Sequence, residues 1–96
     1  MHFVISCQDK ADGGLELRKA NRDAHIAYLQ NHKSQLVAAG PTLSDDGETM
    51  NGSVIIMEFA DRAAAQTFCA GDPYALAGVF ESVTIPPWKK VHPADD

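Results

Sequence analysis

The sequence predicts an α+β fold in which a four-stranded antiparallel sheet carries its helices on one face. Three observations predict it. Apolar, β-branched runs alternate with helix-forming stretches in the order βαββαβ. The first and third strand segments are the most apolar, as the central strands of such a sheet should be. The 96 residues, 45% apolar and 22% charged, have the length and composition of one globular domain, taken as residues 1–96.

Residues 2–8 (HFVISCQ) are rich in β-branched and aromatic side chains and read as a strand. Residues 9–14 carry paired glycines and aspartates and read as a loop. Residues 15–20 have room for one or two helical turns. Asn21 stands where an N-cap belongs for a firmer helix over 22–33, with Ile26 and Leu29 on a shared inward face. Asp23 in its first turn and His32 and Lys33 in its last suit the helix dipole. Residues 35–39 read as a short strand that Gly40-Pro41 stops, and the polar stretch 42–52 as a long hairpin-like connection. Residues 53–59 form the clearest strand. Asp61 caps a helix over 62–70 that Gly71 ends. Asp72-Pro73 then starts a short helix, Asp at the cap and Pro at the first helical position, closed by Gly78. Residues 79–85 make the last strand. Pro86-Pro87 blocks its simple continuation, and residues 88–91 extend it along an edge. The tail, 92–96, is expected to fray.

The charge balance is 13 acids against 8 bases, a net charge of -5. That argues against non-specific nucleic-acid binding, which needs a basic footprint. No apolar run approaches the roughly 20 residues that cross a bilayer. The N-terminus lacks the basic and apolar regions of a signal peptide, so a cytoplasmic location is expected. Cys7 and Cys69 form no CxxC pair and lie near no histidine at ligand spacing. They read as buried thiols acting as small hydrophobes.

The element order is that of the split βαβ, or ferredoxin-like, pattern. Two helices cover only one face of a four-stranded sheet. Val54-Ile55-Ile56-Met57 do not alternate with polar residues, so apolar side chains point to both faces of this strand. Each such side chain left in water forgoes about 1.5–3 kcal/mol. A second copy packed sheet against sheet is the simplest cover, and two-fold dimers are the commonest assembly. The expectation is a homodimer resembling a barrel of two sheets.

His25 is the first candidate for chemistry, because histidine exchanges a proton near neutrality. Spacing alone favours an ordinary helical histidine. His32, two turns on, is roughly 10 Å away, too far to share one metal ion. Asp72 reads first as a helix cap, yet a capping carboxylate can present its second oxygen to a histidine and orient it. Spacing does not bring the two together. No nucleophile elbow, P-loop, dinucleotide fingerprint or metal-ligand cluster is visible, and Asp45-Asp46 offers too few oxygens for a calcium loop.

Several segments together carry a resemblance: Phe3-Val4-Ile5 with Gln8-Asp9-Lys10-Ala11-Asp12, then Arg22-x-x-His25-Ile26-x-x-Leu29, then Ala39-Gly40-Pro41. Asp72-Pro73-Tyr74-Ala75-Leu76-Ala77-Gly78-Val79-Phe80 and Trp88-Lys89-Lys90-Val91 complete it. The chain resembles the YciI-like (YCII-related) family over nearly its whole length. One departure is Asp23, where members often carry proline after the arginine. The resemblance implies a ferredoxin-like fold paired into a dimeric α+β barrel. It also implies a His–Asp pair, here His25 and Asp72. Arg22 would bind an anionic or phenolate group, and Tyr74, Gly40 and Pro41 would line the pocket. Some relatives eliminate chloride from degradation products of chlorinated aromatics.

Two functions follow as expectations. The first is a small enzyme, with no cofactor and no metal, using His25 and Asp72 for elimination, isomerisation or lyase chemistry on a small organic molecule. The second is a non-catalytic module binding a small molecule or a partner.

Overall fold

The structure, a computed structural model, describes residues 1–94; the expected fraying at 95–96 lies outside the described residues. Strand β1 is His2–Asp9, followed by helices α1 (Gly14–Ala20) and α2 (Arg22–Gln30) and a 3₁₀ turn at Lys33–Gln35. Strands β2 (Leu36–Leu43) and β3 (Met50–Glu58) form a hairpin. Helices α3 (Arg62–Gly71) and α4 (Pro73–Leu76) come next, then strands β4 (Phe80–Thr84) and β5 (Pro87–Trp88). The sheet is antiparallel with order β2-β3-β1-β4, and β5 pairs with the start of β1. This is the ferredoxin-like α+β fold, with β1 and β3 central as expected.

Alternation along the two central strands builds the core. Phe3, Ile5 and Cys7 from β1 and Ile55 and Met57 from β3 point to the helices, where Ala65 and Phe68 of α3 close over them. Val4, Val54 and Ile56 point to the other face. Val4 pairs with Ile56, and Ile56 in turn pairs with Ala38 of β2, so an apolar row crosses three strands. Val4, Val54 and Ile56 are half-buried and Ala38 is exposed, and no described helix lies over them. Gly52 permits the close strand pairing at the hairpin end, since a Cβ there would run into the Cys7 carbonyl oxygen.

Four expectations are corrected. Gly40-Pro41 does not stop β2, which runs through both residues to Leu43. An edge strand tolerates proline, because an N–H on its outer side has no ladder bond to lose. The connection between β2 and β3 is therefore only residues 44–49, shaped by Asp46, whose Oδ1 accepts from Ser44 Oγ and the Glu48 amide. Helix α2 ends at Gln30, so His32 and Lys33 lie beyond its last turn. Asn21 sits at the start of α2 but caps nothing with its side chain; its Nδ2 donates instead to the Leu17 carbonyl at the end of α1. Finally, Ile26 is 40% exposed while His25 is buried, so α2 turns its histidine inward and leaves the isoleucine outside.

Gly71, expected to end α3, is instead its last helical residue, and Asp72 stands at the C-cap; the Asp61 cap holds. Asp61 accepts from the Ala64 amide at 2.9 Å and starts α3. Both cysteines are free. Cys7 is buried in the core and Cys69 is partly buried against it. Burial, aided by Cys69, pushes the Cys7 thiol up to about 12, and burial followed by Asp72 pushes Cys69 to about 11. An unfolded thiol ionises near 9.0, so above that pH the folded chain holds more protons than the unfolded one. Stability therefore falls as pH rises past this value through the thiol contribution. Iodoacetamide at mildly alkaline pH should modify both cysteines in urea and leave Cys7 untouched in the folded protein, read by mass spectrometry. Rapid modification of native Cys7 would contradict this packing.

Candidate active site

The site is organised by the start of α4. Asp72 precedes Pro73, whose fixed φ suits the first helical position, and the Asp72 side chain closes the turn by accepting from the Tyr74 amide at 2.9 Å. The same oxygen, Oδ1, also meets His25 Nδ1 at 2.9 Å. The expected use of the second carboxylate oxygen is thus corrected: one atom serves both the cap and the histidine. Both side chains are buried, His25 to 8% exposure and Asp72 to 3%. Because Oδ1 already accepts a backbone N–H, it acts as acceptor, and the shared proton belongs on Nδ1. In the neutral ring that leaves Nε2 with its lone pair free. Nε2 has no hydrogen-bond partner among the described residues, and no buried side-chain nitrogen or oxygen there is left unpaired. This nitrogen therefore opens to the space that the ring lines.

Tyr74 fixes the plane of the imidazole. The two rings stack with centroids 3.9 Å apart and planes 12° from parallel. Gly78, at φ +80°, ends the helix in a conformation other residues rarely adopt and lets the Val79 amide return to the Tyr74 carbonyl. Burial raises the Tyr74 phenol above its ordinary range, although the nearby Arg18 cation pulls the other way.

A cavity of about 210 Å³ lies between α2 and the β2–β3 hairpin. Arg22, His25, Ile26 and Leu29 form its helical wall. Gly40 and Pro41, with Ala39, form the strand wall, Met50 and Ile55 add apolar surface, and Tyr74 stands at the end. Five of the six residues singled out in the sequence thus share one cavity. Asp72 stands behind His25 rather than in the lining. Arg22 is exposed and pairs with no carboxylate among the described residues, so its charge is available to a ligand at the mouth.

A second buried constellation escaped sequence reasoning. Asp9 holds Arg18 through two bonds of 2.7 Å, Oδ2 accepting from Nε and Oδ1 from Nη2. The same Nη2 donates to Ser53 Oγ at 2.9 Å. All three residues are at least nine-tenths buried, and Arg18 and Ser53 also line the cavity. The Arg18 carbon Cζ lies 4.7 Å from the Tyr74 ring centroid. Burial alone would lower the Arg18 pKa, but the Asp9 hydrogen bonds and charge outweigh it and raise the value. Parity is the signal that was overlooked. Phe3, Ile5, Cys7 and Asp9 all point inward, and a carboxylate on that side of a strand needs a cation.

The remaining histidines stay apart. His32 packs with Tyr28 and Phe68 in a separate groove and contacts the Tyr28 carbonyl through Nδ1. His2 lies on the open sheet face against Trp88. Among the described residues no three His, Cys, Asp or Glu side chains gather as a metal site.

Comparison with known proteins agrees with this fold. The YCII-related domain matches residues 1–89. The chain is 43% identical over 98 residues to Protein YciI of Escherichia coli O6:H1, covering 95% of this chain and 99% of that one. It is 38% identical, with the same coverage, to an uncharacterized protein of Haemophilus influenzae. Among solved structures it is similar to the 5-chloro-2-hydroxyhydroquinone dehydrochlorinase of Burkholderia phenoliruptrix AC1100, seen in complex with 2,5-dihydroxybenzoquinone. That likeness has a TM-score of 0.87 and 33% identity, over 99% of this chain and 100% of the other. An antibiotic biosynthesis monooxygenase, at 17% identity and a TM-score of 0.54 over 95% of this chain and 99% of that one, shares the fold alone. On this match of residues 1–89 and this level of identity, the chain belongs to the YCII-related domain family.

Proposed function

We propose that this protein is a small enzyme, needing no cofactor, that performs acid/base chemistry of the elimination, isomerisation or lyase type on a single-ring organic substrate. The observation that carries the reading is the buried 2.9 Å bond from His25 Nδ1 to Asp72, which leaves Nε2 open to the cavity. A similar structure belongs to a dehydrochlorinase, and its 2,5-dihydroxybenzoquinone complex shows that protein holding one oxygenated ring. The cavity here fits that scale. A dry apolar cavity of about 150 Å³ holds benzene, and about 210 Å³ leaves room for substituents.

His25 Nε2 would take a proton from the substrate. The electron pair of the broken bond becomes the new double bond, and the leaving group departs with its own bonding pair. Asp72 holds the imidazolium through Nδ1–H while the proton rests there. Arg22 at the mouth would bind an anionic or phenolate oxygen, and Tyr74, Gly40 and Pro41 would hold the ring in place. The enzyme would act as a homodimer, two chains covering the row of Val4, Ile56 and Ala38 with each other.

A screen that begins with chlorinated hydroxyhydroquinones and follows chloride release tests the chemistry. Turnover by the wild type should fall by about 10²–10⁴-fold in His25→Ala. Ligand binding without turnover in either protein would favour a binding module instead. For the assembly, light scattering should give twice the chain mass for the wild type. Ile56→Glu, which sets a charge in the middle of the apolar row, should give a single chain mass. A wild type that is monomeric at micromolar concentration would overturn the dimer.

A further inference from the structure

We infer that Ser53, held by the Asp9–Arg18 pair, forms a second polar subsite in the cavity that takes a hydrogen-bond-accepting oxygen of the ligand, such as a ketone, quinone or enolate oxygen. This rests on the cavity being the substrate site but assigns residues with no part in the proton transfer.

The direction of the Ser53 hydroxyl proton decides what this subsite can hold. Ser53 lies on the inward face of β3 and is only 3% exposed. Its Oγ accepts from Arg18 Nη2 at 2.9 Å. A guanidinium has five donors and no acceptor, so the hydroxyl proton is directed away from Arg18. Among the described residues no atom accepts it. Ser53 does line the cavity, and so does Arg18, whose guanidinium also interacts with the Tyr74 hydroxyl. A buried donor aimed into a cavity without a protein acceptor is a place for a ligand acceptor.

The fold makes this donor rigid. Asp9 grips the guanidinium from β1 with two bonds, the arginine comes from α1, and the serine comes from β3. Three elements therefore set one hydroxyl direction, as an oxygen-binding subsite needs. His25 sits on the helical wall and Ser53 on the sheet. A ring between them would offer a proton to one and an oxygen to the other.

The test is calorimetric titration of 2,5-dihydroxybenzoquinone and of toluene, an oxygen-free ring, into the wild type and Ser53→Ala. Ser53→Ala keeps both Asp9 bonds to Arg18. The quinone should bind about tenfold more weakly to the variant and toluene equally to both. Should the variant fold poorly, wild-type amide spectra give the same reading. The Ser53 amide and the Arg18 Nε–H signals should move with the quinone and stay still with toluene. Equal quinone affinity in a folded variant, or an unmoved Ser53 amide under saturating quinone, overturns the subsite. Failure of the chemistry is a separate result: quinone discrimination by Ser53 with no turnover of any substrate would leave the subsite standing and remove the acid/base role of His25.

Discussion

A single carboxylate oxygen holds this site together. Asp72 Oδ1 closes the first turn of α4 and anchors the imidazole of α2. The cap alone would be worth about 1 kcal/mol, the usual value of such a bond. The added histidine makes it a tie between two helices 47 residues apart in sequence. The site and the packing of α2 on α4 are thus one feature. Pro73 fixes the direction of the chain after the cap, and Tyr74 immediately presents its ring to the histidine. Three consecutive residues therefore set the tautomer, position and plane of His25.

The sheet supplies the counterpart to this tie. Its helix-facing side is hydrophobic along most of β1 and β3 and becomes polar only at one end, where Asp9 and Ser53 meet Arg18. A buried ion pair of this sort contributes little net stability when intact, but loss of one partner costs about 3–5 kcal/mol. Its value lies in direction: a guanidinium with two bonds to one carboxylate has a fixed plane. The cavity thus has two polar groups in its lining, His25 and the Arg18–Ser53 pair, each held from behind by a buried aspartate.

Much of this was legible in the residues, and the failures have physical causes. The element order and the central placement of β1 and β3 follow from apolar patterning, which is local. Asp61 and Asp72-Pro73 were readable as caps because capping chemistry is contained within four residues. The path of β2 was misread because Gly40-Pro41 carries a strong local turn signal, whereas an edge strand imposes weaker demands than a central one. The inward face of α2 was misassigned because hydrophobicity favours Ile26, while the decisive partner of His25 lies on a distant helix. The Asp9–Arg18–Ser53 group was missed although the parity of β1 contains the hint. Pairing His25 with Asp72 needed the family resemblance, since spacing holds no record of contact across 47 residues.

The tie between Asp72 and His25 is measured directly by the protonation pattern of the His25 ring, read from long-range ¹H–¹⁵N correlations in uniformly labelled protein at a pH where the ring is neutral. The proton should lie on Nδ1, facing Asp72, with Nε2 unprotonated, and the pattern should be lost in Asp72→Ala. A neutral ring protonated on Nε2, with a spectrum indifferent to Asp72→Ala, would contradict it.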